Sequence, residues 1–348
     1  MAKIDALLNL MIEHKASDLH ITSGSSPLLR INGELERIAY HELSEEEVRL
    51  LVYEIISQIG VEHLEAEYDL DFAYEIEGVA RFRANAYFKH GGMGAAFRLI
   101  PHDILSFSEL GLPSAVRDLA RLRKGLVIVT GPTGSGKSTT LAAMVDLLNK
   151  ERKAHVITLE DPLEFIHENQ ACLIMQRQVG VHVESFASGL KAALREDPNV
   201  IMVGEMRDLE TIALAITAAE VGLLVFGTLH TNSAPKTVDR IIDVFPREQQ
   251  DQIRTMLSDS LKGVIAQQLL RRADGQGRVA AFEILVGNQA VGNLIREGKT
   301  FQIPSILQTG KKLGMQSLDQ HLKELVAEGL VTSQEASLYA NEKAPFTN

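Results

Sequence analysis

The chain has 348 residues, 45% of them hydrophobic, which suggests two or three domains with real cores and excludes wholesale disorder. Lys and Arg number 35 against 46 Asp and Glu, giving −11; a chain this acidic argues against a general DNA or RNA binder, because phosphate backbones need a basic surface. The single cysteine, Cys172, excludes an intramolecular disulfide and a cysteine-rich zinc site, and fits a reducing cytosol.

The opening "MAKIDALLNLMIEHK" places Ile4, Leu7, Leu8, Met11 and Ile12 at helical spacing, with Asp5 and Glu13 among them. It reads as a helix over 4–14 rather than a signal peptide. "DLHITSG" and "PLLRINGELERI" follow as strands, with Asn32-Gly33 marking a hairpin. Ser44 and Glu47 form a capping box that opens a helix through Val48, Leu51, Val52 and Ile55. "YDLDFAYEI" and "VARFRANAYFK" are the next strands. The second alternates Phe82, Ala84, Ala86 and Phe88 with Arg81, Arg83, Asn85 and Tyr87. "HGGMG" turns into the strand "AAFRLI", which Pro101 ends. Residues 1–100 thus read as a small α/β domain and 101–113 as a linker, with "LGLP" at 110–113 suited to a hinge.

From residue 114 the pattern changes. Apolar runs at 126–130, 155–159, 200–204 and 223–228 alternate with helical stretches, the pattern of βαβ units around a doubly covered sheet. The longest apolar stretch, Ile212–Leu229, is broken by Glu220 and Gly222, and reads as helix, turn and strand rather than a membrane span. An α/β core is expected over 114–285. Beyond residue 245 the chain reads as mostly helical, with "QQDQIRTMLSDSLKGVIAQQLL" the longest helix and 286–348 a helical C-terminal region.

"GPTGSGKSTT" follows the first of these apolar runs. Gly131, Gly136, Lys137 and Ser138 complete G-x-x-x-x-G-K-[ST], within a loop that also holds Pro132, Thr133, Gly134, Ser135 and Thr139. Glycines let backbone N–H groups wrap phosphate, Lys137 reaches the β- and γ-phosphates, and Ser138 offers its hydroxyl to Mg²⁺. A nucleotide phosphate with Mg²⁺ is the implied ligand. "NVIMVGE" supplies Glu205 for the metal, because Gly204 stands where the usual aspartate would. A base must come from elsewhere. "TLEDPLEFIH", after the strand expected beside the phosphate-loop strand, offers Glu160, Asp161 and Glu164. "FGTLHTNSA" brings Thr228 and His230 to a strand end, where His230 suits a γ-phosphate sensor; Thr231, Asn232 or Ser233 also suits the cap of a helix at Pro235.

Together, "GPTGSGKSTT", "ITLEDPLEFIH", "REDPNVIMVGEMRDLETI" and "GTLHTNSAPKTVDRIIDVFP" resemble the Walker A, Asp, Walker B and His boxes of the secretion ATPases. "ASDLHI", "PLLRINGEL" and "RFRANAY" look most like the type IV pilus retraction branch. The resemblance implies a RecA-like P-loop core with a smaller N-terminal PAS-like α/β domain and a helical C-terminal region. It implies ATP as the nucleotide, Glu164 as general base, Glu205 as the Walker B glutamate, and His230 and Thr228 as sensors of nucleotide state. It also implies arginines of the N-terminal domain reaching the nucleotide; Arg81, Arg83 and Arg98 are the candidates, unless they pair with Asp69, Asp71 or Glu75. The implied assembly is a homohexamer, cytoplasmic and peripheral to the inner membrane. It would act on a membrane platform protein and, through it, on pilin, without nucleic acid.

One cysteine excludes the tetracysteine insertion of the extension and type II secretion relatives, and 348 residues leave little room for their extra domain. One departure stands out. The family's A-I-R-N-L-I-R-E motif reads "AVGNLIRE" at 290–297, with Gly292 in place of the first arginine. Glycine costs a helix about 1 kcal/mol relative to alanine, and a charge that could touch a partner is lost. A nucleic-acid translocase and a non-hydrolysing nucleotide-gated module are the competing classes; the charge opposes the first, and Lys137, Glu164 and Glu205 oppose the second.

Overall fold

Period-two alternation builds the first unit. The computed structural model describes residues 2–31, 33–100 and 104–346. Its first unit covers 1–103 together with 162–166, and its second covers 104–161 and 167–348. In the first, α1 (Asp5–Glu13) precedes β1 (Asp18–Thr22), β2 (Leu28–Ile31) and β3 (Glu34–Arg37). Then come α2 (Glu45–Tyr53), α3 (Gln58–Glu67), β4 (Asp69–Ile76), β5 (Ala80–Lys89) and β6 (Gly92–Ile100). The six strands form one sheet, β3-β2-β1-β6-β5-β4, antiparallel throughout.

The residues explain these elements. Ile4, Leu8 and Met11 bury one face of the first helix. Ser44 and Glu47 cap α2 reciprocally, as the box requires. Gly33 takes φ +93° in the β2–β3 turn, while Asn32, the other half of the hairpin signal, lies outside the described residues. Phe82, Ala84 and Ala86 of β5 are buried. Pro101 also lies outside the described residues, as does the start of the 101–113 segment. Within 104–113, Phe107 is buried in the core of the second unit.

The second unit runs α4 (Ser114–Ala120), β7 (Gly125–Thr130), α5 (Lys137–Glu151), β8 (His155–Glu160) and β9 (Leu173–Gln178). It continues with α6 (Phe186–Ala193), β10 (Val200–Val203), α7 (Leu209–Glu220), β11 (Leu224–Leu229), α8 (Ala234–Asp243) and α9 (Arg247–Ser260). It ends with β12 (Leu261–Arg271), β13 (Arg278–Val286), α10 (Gln289–Arg296), α11 (Ile303–Thr309), α12 (Leu318–Ala327) and α13 (Ser333–Tyr339). The seven-stranded sheet has the order β13-β12-β7-β11-β10-β8-β9; all pairs are parallel except β12–β13. Helices cover both faces, and two hydrophobic clusters fill the layers, one around Ile128, Ile201 and Val225, the other around Val127, Met144 and Phe226. The mixed α/β class expected from the sequence is the class observed. Among the described residues no helix is long and apolar enough to cross a membrane.

Two expectations fail. The long helix over "QQDQIRTMLSDSLKGVIAQQLL" stops at Ser260, and the rest is strand β12. Val264, Ile265 and Ala266 suit a buried helix or a buried strand equally, and the free edge of β7 settles the matter. A Cβ on Gly263 would come within 2.6 Å of a methyl of the Leu119 side chain, so a larger residue here would require Leu119 of α4 to shift. Nor is β8 the neighbour of the phosphate-loop strand. β11 and β12 flank β7, and β10 separates β11 from β8. Sequential strands need not be adjacent in a doubly wound sheet.

Buried histidines set an acid limit. Burial pulls the His167 imidazole down to about 4, and its Nδ1 has no hydrogen-bond partner among the described residues. Burial also lowers His321, whose Nδ1 accepts the Phe282 N–H at 2.9 Å. Because the folded value for His167 lies below the unfolded one, its stabilisation is complete above pH 6.5 and is lost as pH falls towards 4. Urea denaturation should show a loss of about 3 kcal/mol from His167 alone over that interval. A His167→Phe variant should lose correspondingly less.

Candidate functional site

The phosphate loop is built against the backbone of β12. Thr130 ends β7, and the chain turns through Gly131 (φ +150°) to Gly136 (φ +86°), which caps α5 from the left-handed region. A Cβ on Gly131 would stand 2.3 Å from the Gln267 carbonyl oxygen; one on Gly136 would stand 2.8 Å from Gln267 Nε2. Gln267, 3% exposed, donates from Nε2 to the Ser135 carbonyl and accepts the Thr140 hydroxyl at 2.8 Å. One side chain thus pins the loop and the first turn of α5. Lys137 donates to the carbonyls of Gly131 at 2.9 Å and Pro132 at 3.1 Å, which holds its ammonium over the loop. Pro132, Thr133, Gly134 and Ser138 are exposed and Thr139 is half-buried, at the positive end of a 15-residue helix.

Glu205 follows the end of β10, two strands away. Gly204 donates its N–H to the Leu159 carbonyl at 2.7 Å, and a Cβ there would press to 3.0 Å on that oxygen. The missing aspartate is therefore a matter of close strand packing. The Thr228 hydroxyl bonds the Gly204 carbonyl, and Met206 N–H bonds the Thr228 carbonyl at 3.1 Å, so Thr228 braces the turn that presents Glu205. Glu205 Oε1 takes bonds from Arg207 and, at 2.9 Å, from His230 Nε2. Burial alone would raise the Glu205 pKa. The Arg207 hydrogen bond and charge and the nearby imidazole outweigh it and hold the carboxyl below its ordinary value. The Arg207 guanidinium is raised in turn, first by Glu205, with Asp161 contributing.

His230 is exposed at the end of β11, in a loop anchored by hydroxyls. Thr130 Oγ1 lies 2.8 Å from Thr231 Oγ1 and accepts the Thr231 N–H at 2.9 Å, and Thr231 Oγ1 lies 2.6 Å from Thr237 Oγ1. An open cleft of about 480 Å³ adjoins, lined by Pro132, His230, Thr231, Asn232, Lys236 and Gln268.

The structure thus gathers the phosphate loop, Glu205, Thr228 and His230 at the carboxyl ends of parallel strands of the second unit. Of the three candidate bases, Glu160 accepts the Thr158 hydroxyl at 2.6 Å and Asp161 lies near Arg207. Glu164, half-buried, falls in 162–166, which groups with the first unit. Arg81, Arg83 and Arg98 also belong to that unit. Arg83 faces Arg98 across β5–β6, and Arg81 faces Glu75 across β4–β5. Arg98 pairs with Asp18 at 2.8 Å, while Asp69 and Asp71 take Asn85 instead. Gly292 is buried in α10, where a Cβ would stand 3.0 Å from the Ser258 carbonyl. Sequence reasoning missed Gln267, hidden in the supposed helix, and Arg207, visible only as the basic residue two places beyond Glu205.

The profile of the family "Type II/IV secretion system protein" matches residues 1–338. The chain is 50% identical over 333 residues to the "Type IV pilus retractation ATPase PilT" of Pseudomonas aeruginosa, covering 96% of each chain. It is 50% identical over 328 residues to the "Twitching motility protein" of Neisseria gonorrhoeae, covering 92% of this chain and 88% of that one. The crystal structure of the pilus retraction motor PilT with bound ADP superposes with a TM-score of 0.91 at 44% identity, covering 99% and 98% of the two chains.

Gln267→Leu leaves the Ser135 carbonyl and the Thr140 hydroxyl without their partner. Urea denaturation should show about 1–3 kcal/mol lost, with weaker nucleotide binding by titration of a fluorescent ADP analogue.

Proposed function

The chain belongs to the Type II/IV secretion system protein family, and on that premise we propose that it is an ATP-hydrolysing motor that powers type IV pilus retraction. The observation that carries the site reading is the 2.9 Å bond between Glu205 and His230 at two neighbouring strand ends, on the same sheet edge as the phosphate loop. Retraction enters from the relatives, whose names describe pilus retraction and twitching motility.

The glycine loop 131–136 can cradle phosphates because the three positive-φ glycines leave no Cβ in its path. Lys137 would exchange the Gly131 and Pro132 carbonyls for phosphate oxygens, and Thr139 would add a hydroxyl. Mg²⁺ fits the donor set here: the Ser138 hydroxyl and a Glu205 carboxylate kept ionised by Arg207. When bound, the ion would neutralise charge between the β- and γ-phosphates. Glu164 is our candidate to take the proton from the attacking water. His230, donating from Nε2 to Glu205, would register whether a γ-phosphate is present, and Thr228 holds the turn on which this depends. Arg81, Arg83 and Arg98 are candidates to supply positive charge to the transition state.

In this reading the working assembly is a homohexamer on the cytoplasmic face of the inner membrane. Hydrolysis moves its N-terminal domains, and the motion turns a membrane platform protein so that pilin leaves the fibre. The 101–113 segment is the proposed linker between domains 1–100 and 114–285, with 286–348 as the C-terminal region.

Glu205→Gln should lower kcat for ATP about 10²–10³-fold, and Lys137→Ala at least as far, while circular dichroism stays unchanged. A Glu205→Gln protein with the full ATPase rate would overturn the metal assignment. If sites are shared between protomers, Arg83→Ala and Lys137→Ala proteins should each be inactive and regain part of the activity on mixing. Full activity in a dilute monomer, followed by light scattering, would reject the shared site. In a piliated cell, deletion should leave fibres that cannot shorten; loss of fibres would point to assembly instead.

A further inference from the structure

Helix α8 begins directly after the His230 loop, but its own cap is silent. Ser233 stands at the N-cap with extended backbone, and its side chain makes no capping bond among the described residues. The N–H of Ala234, the first residue of the helix, is taken instead by Glu283 Oε1 at 2.7 Å, from β13. The backbone N–H of Leu318, the first residue of α12, lies close enough to favour the ionised form of the same carboxyl. Glu283 is 6% exposed, between core residues Phe282 and Ile284. A carboxyl so placed is costly unless it is bonded, and here the N-terminus of α8 bonds it while the N-terminus of α12 also favours its charge. Burial raises its pKa and Asp319 adds to that, while the two N–H groups oppose the rise.

A short path leads from this carboxyl to the site. Ala234 opens the turn that carries Thr237, which is fully buried. The Thr237 hydroxyl accepts from or donates to Thr231 Oγ1 at 2.6 Å and also bonds the Ser233 carbonyl at 2.7 Å. Thr231 is the neighbour of His230 and is tied on its other side to Thr130, the last residue of β7. The loop is therefore held from the phosphate-loop strand at one end and from α8 at the other.

We propose that Glu283 is a positioning residue for His230: by anchoring the first turn of α8, it fixes Thr231 and so the angle at which the imidazole meets Glu205. The inference rests on the reading that His230 acts at the nucleotide.

The test is ATP turnover of the full chain in wild type, Glu283→Ala, Glu283→Gln, His230→Ala and the His230→Ala/Glu283→Ala double variant. Glu283→Ala should lower kcat about 10-fold with KM within about two-fold, the signature of a misplaced group rather than lost binding. Glu283→Gln keeps an oxygen for Ala234 and should stay within about three-fold of wild type. In the His230→Ala background, Glu283→Ala should change kcat less than about two-fold, because its effect runs through the missing imidazole. Equal fold-losses in both backgrounds, or full activity of Glu283→Ala beside an impaired His230→Ala, would overturn this inference alone. Wild-type turnover by His230→Ala would overturn the site reading and this inference with it. Should Glu283→Ala fail to fold by circular dichroism, Glu283→Asp, one methylene shorter, takes its place under the same readings.

Discussion

The site depends on one close approach, that of Gly131 to the Gln267 carbonyl across β7 and β12. A Cβ at Gly131 would sit 2.3 Å from that oxygen, so the two strands can lie in this register only because glycine stands there. The same residue of β12 then reaches the Ser135 carbonyl and the Thr140 hydroxyl. Backbone approach and side-chain bonds reinforce one another. The approach brings Gln267 within reach of the loop, and its amide holds the loop in the shape that the approach permits. A phosphate cradle must present several N–H groups at once, and an unpinned glycine loop would lose that arrangement to chain entropy.

Charge organises the second half of the site. Glu205 is only partly exposed, so burial works against its ionised form, and Arg207 and His230 restore it. The carboxylate is thereby kept as an acceptor on the edge that faces the cradle. Neither partner could be placed without the turn after β10, which exists because Gly204 lies against Leu159 and because Thr228 grips the Gly204 carbonyl. The glycine that breaks the usual strand motif is the residue that lets the strands pack and the turn form. Thr228 thus has a visible structural task alongside the sensing proposed for it.

What was legible in the sequence was local. The capping box at Ser44–Glu47, the alternation of β5 and the run Gly131–Ser138 each declare themselves within ten residues, because neighbours in the chain satisfy them. What was hidden was set by distant partners. Val264–Ala266 fit helix and strand alike, and only the unpaired edge of β7 made them a strand. Gln267 lies 132 residues from Ser135, and Glu283 lies 49 from Ala234, so nothing near either residue announces its bond. Strand order was hidden for the same reason. The sequence places β8 directly after α5, but β11 and β10 stand between it and β7 in the sheet. His230 sits between these cases, since its strand end was readable but its partner Glu205 was not.

The altered motif at 290–297 shows how a local departure can have a distant cause. Gly292 lies on the buried face of α10, against the Ser258 carbonyl at the end of α9. Any side chain there brings a Cβ to 3.0 Å from that oxygen, tighter than ordinary contact, so the two helices would have to separate slightly. The helix cost of glycine, about 1 kcal/mol relative to alanine, is therefore set against closer packing with α9. Arg296 strengthens the same contact by bonding Ser258 Oγ at 2.8 Å and Asp259 at 3.1 Å. The remaining arginine of the motif already has a carboxylate partner within the chain, and the position of the missing one is closed by backbone. In this protein the segment is built first as part of the α9–α10 contact, and any partner that reads it must meet a surface with one cation fewer.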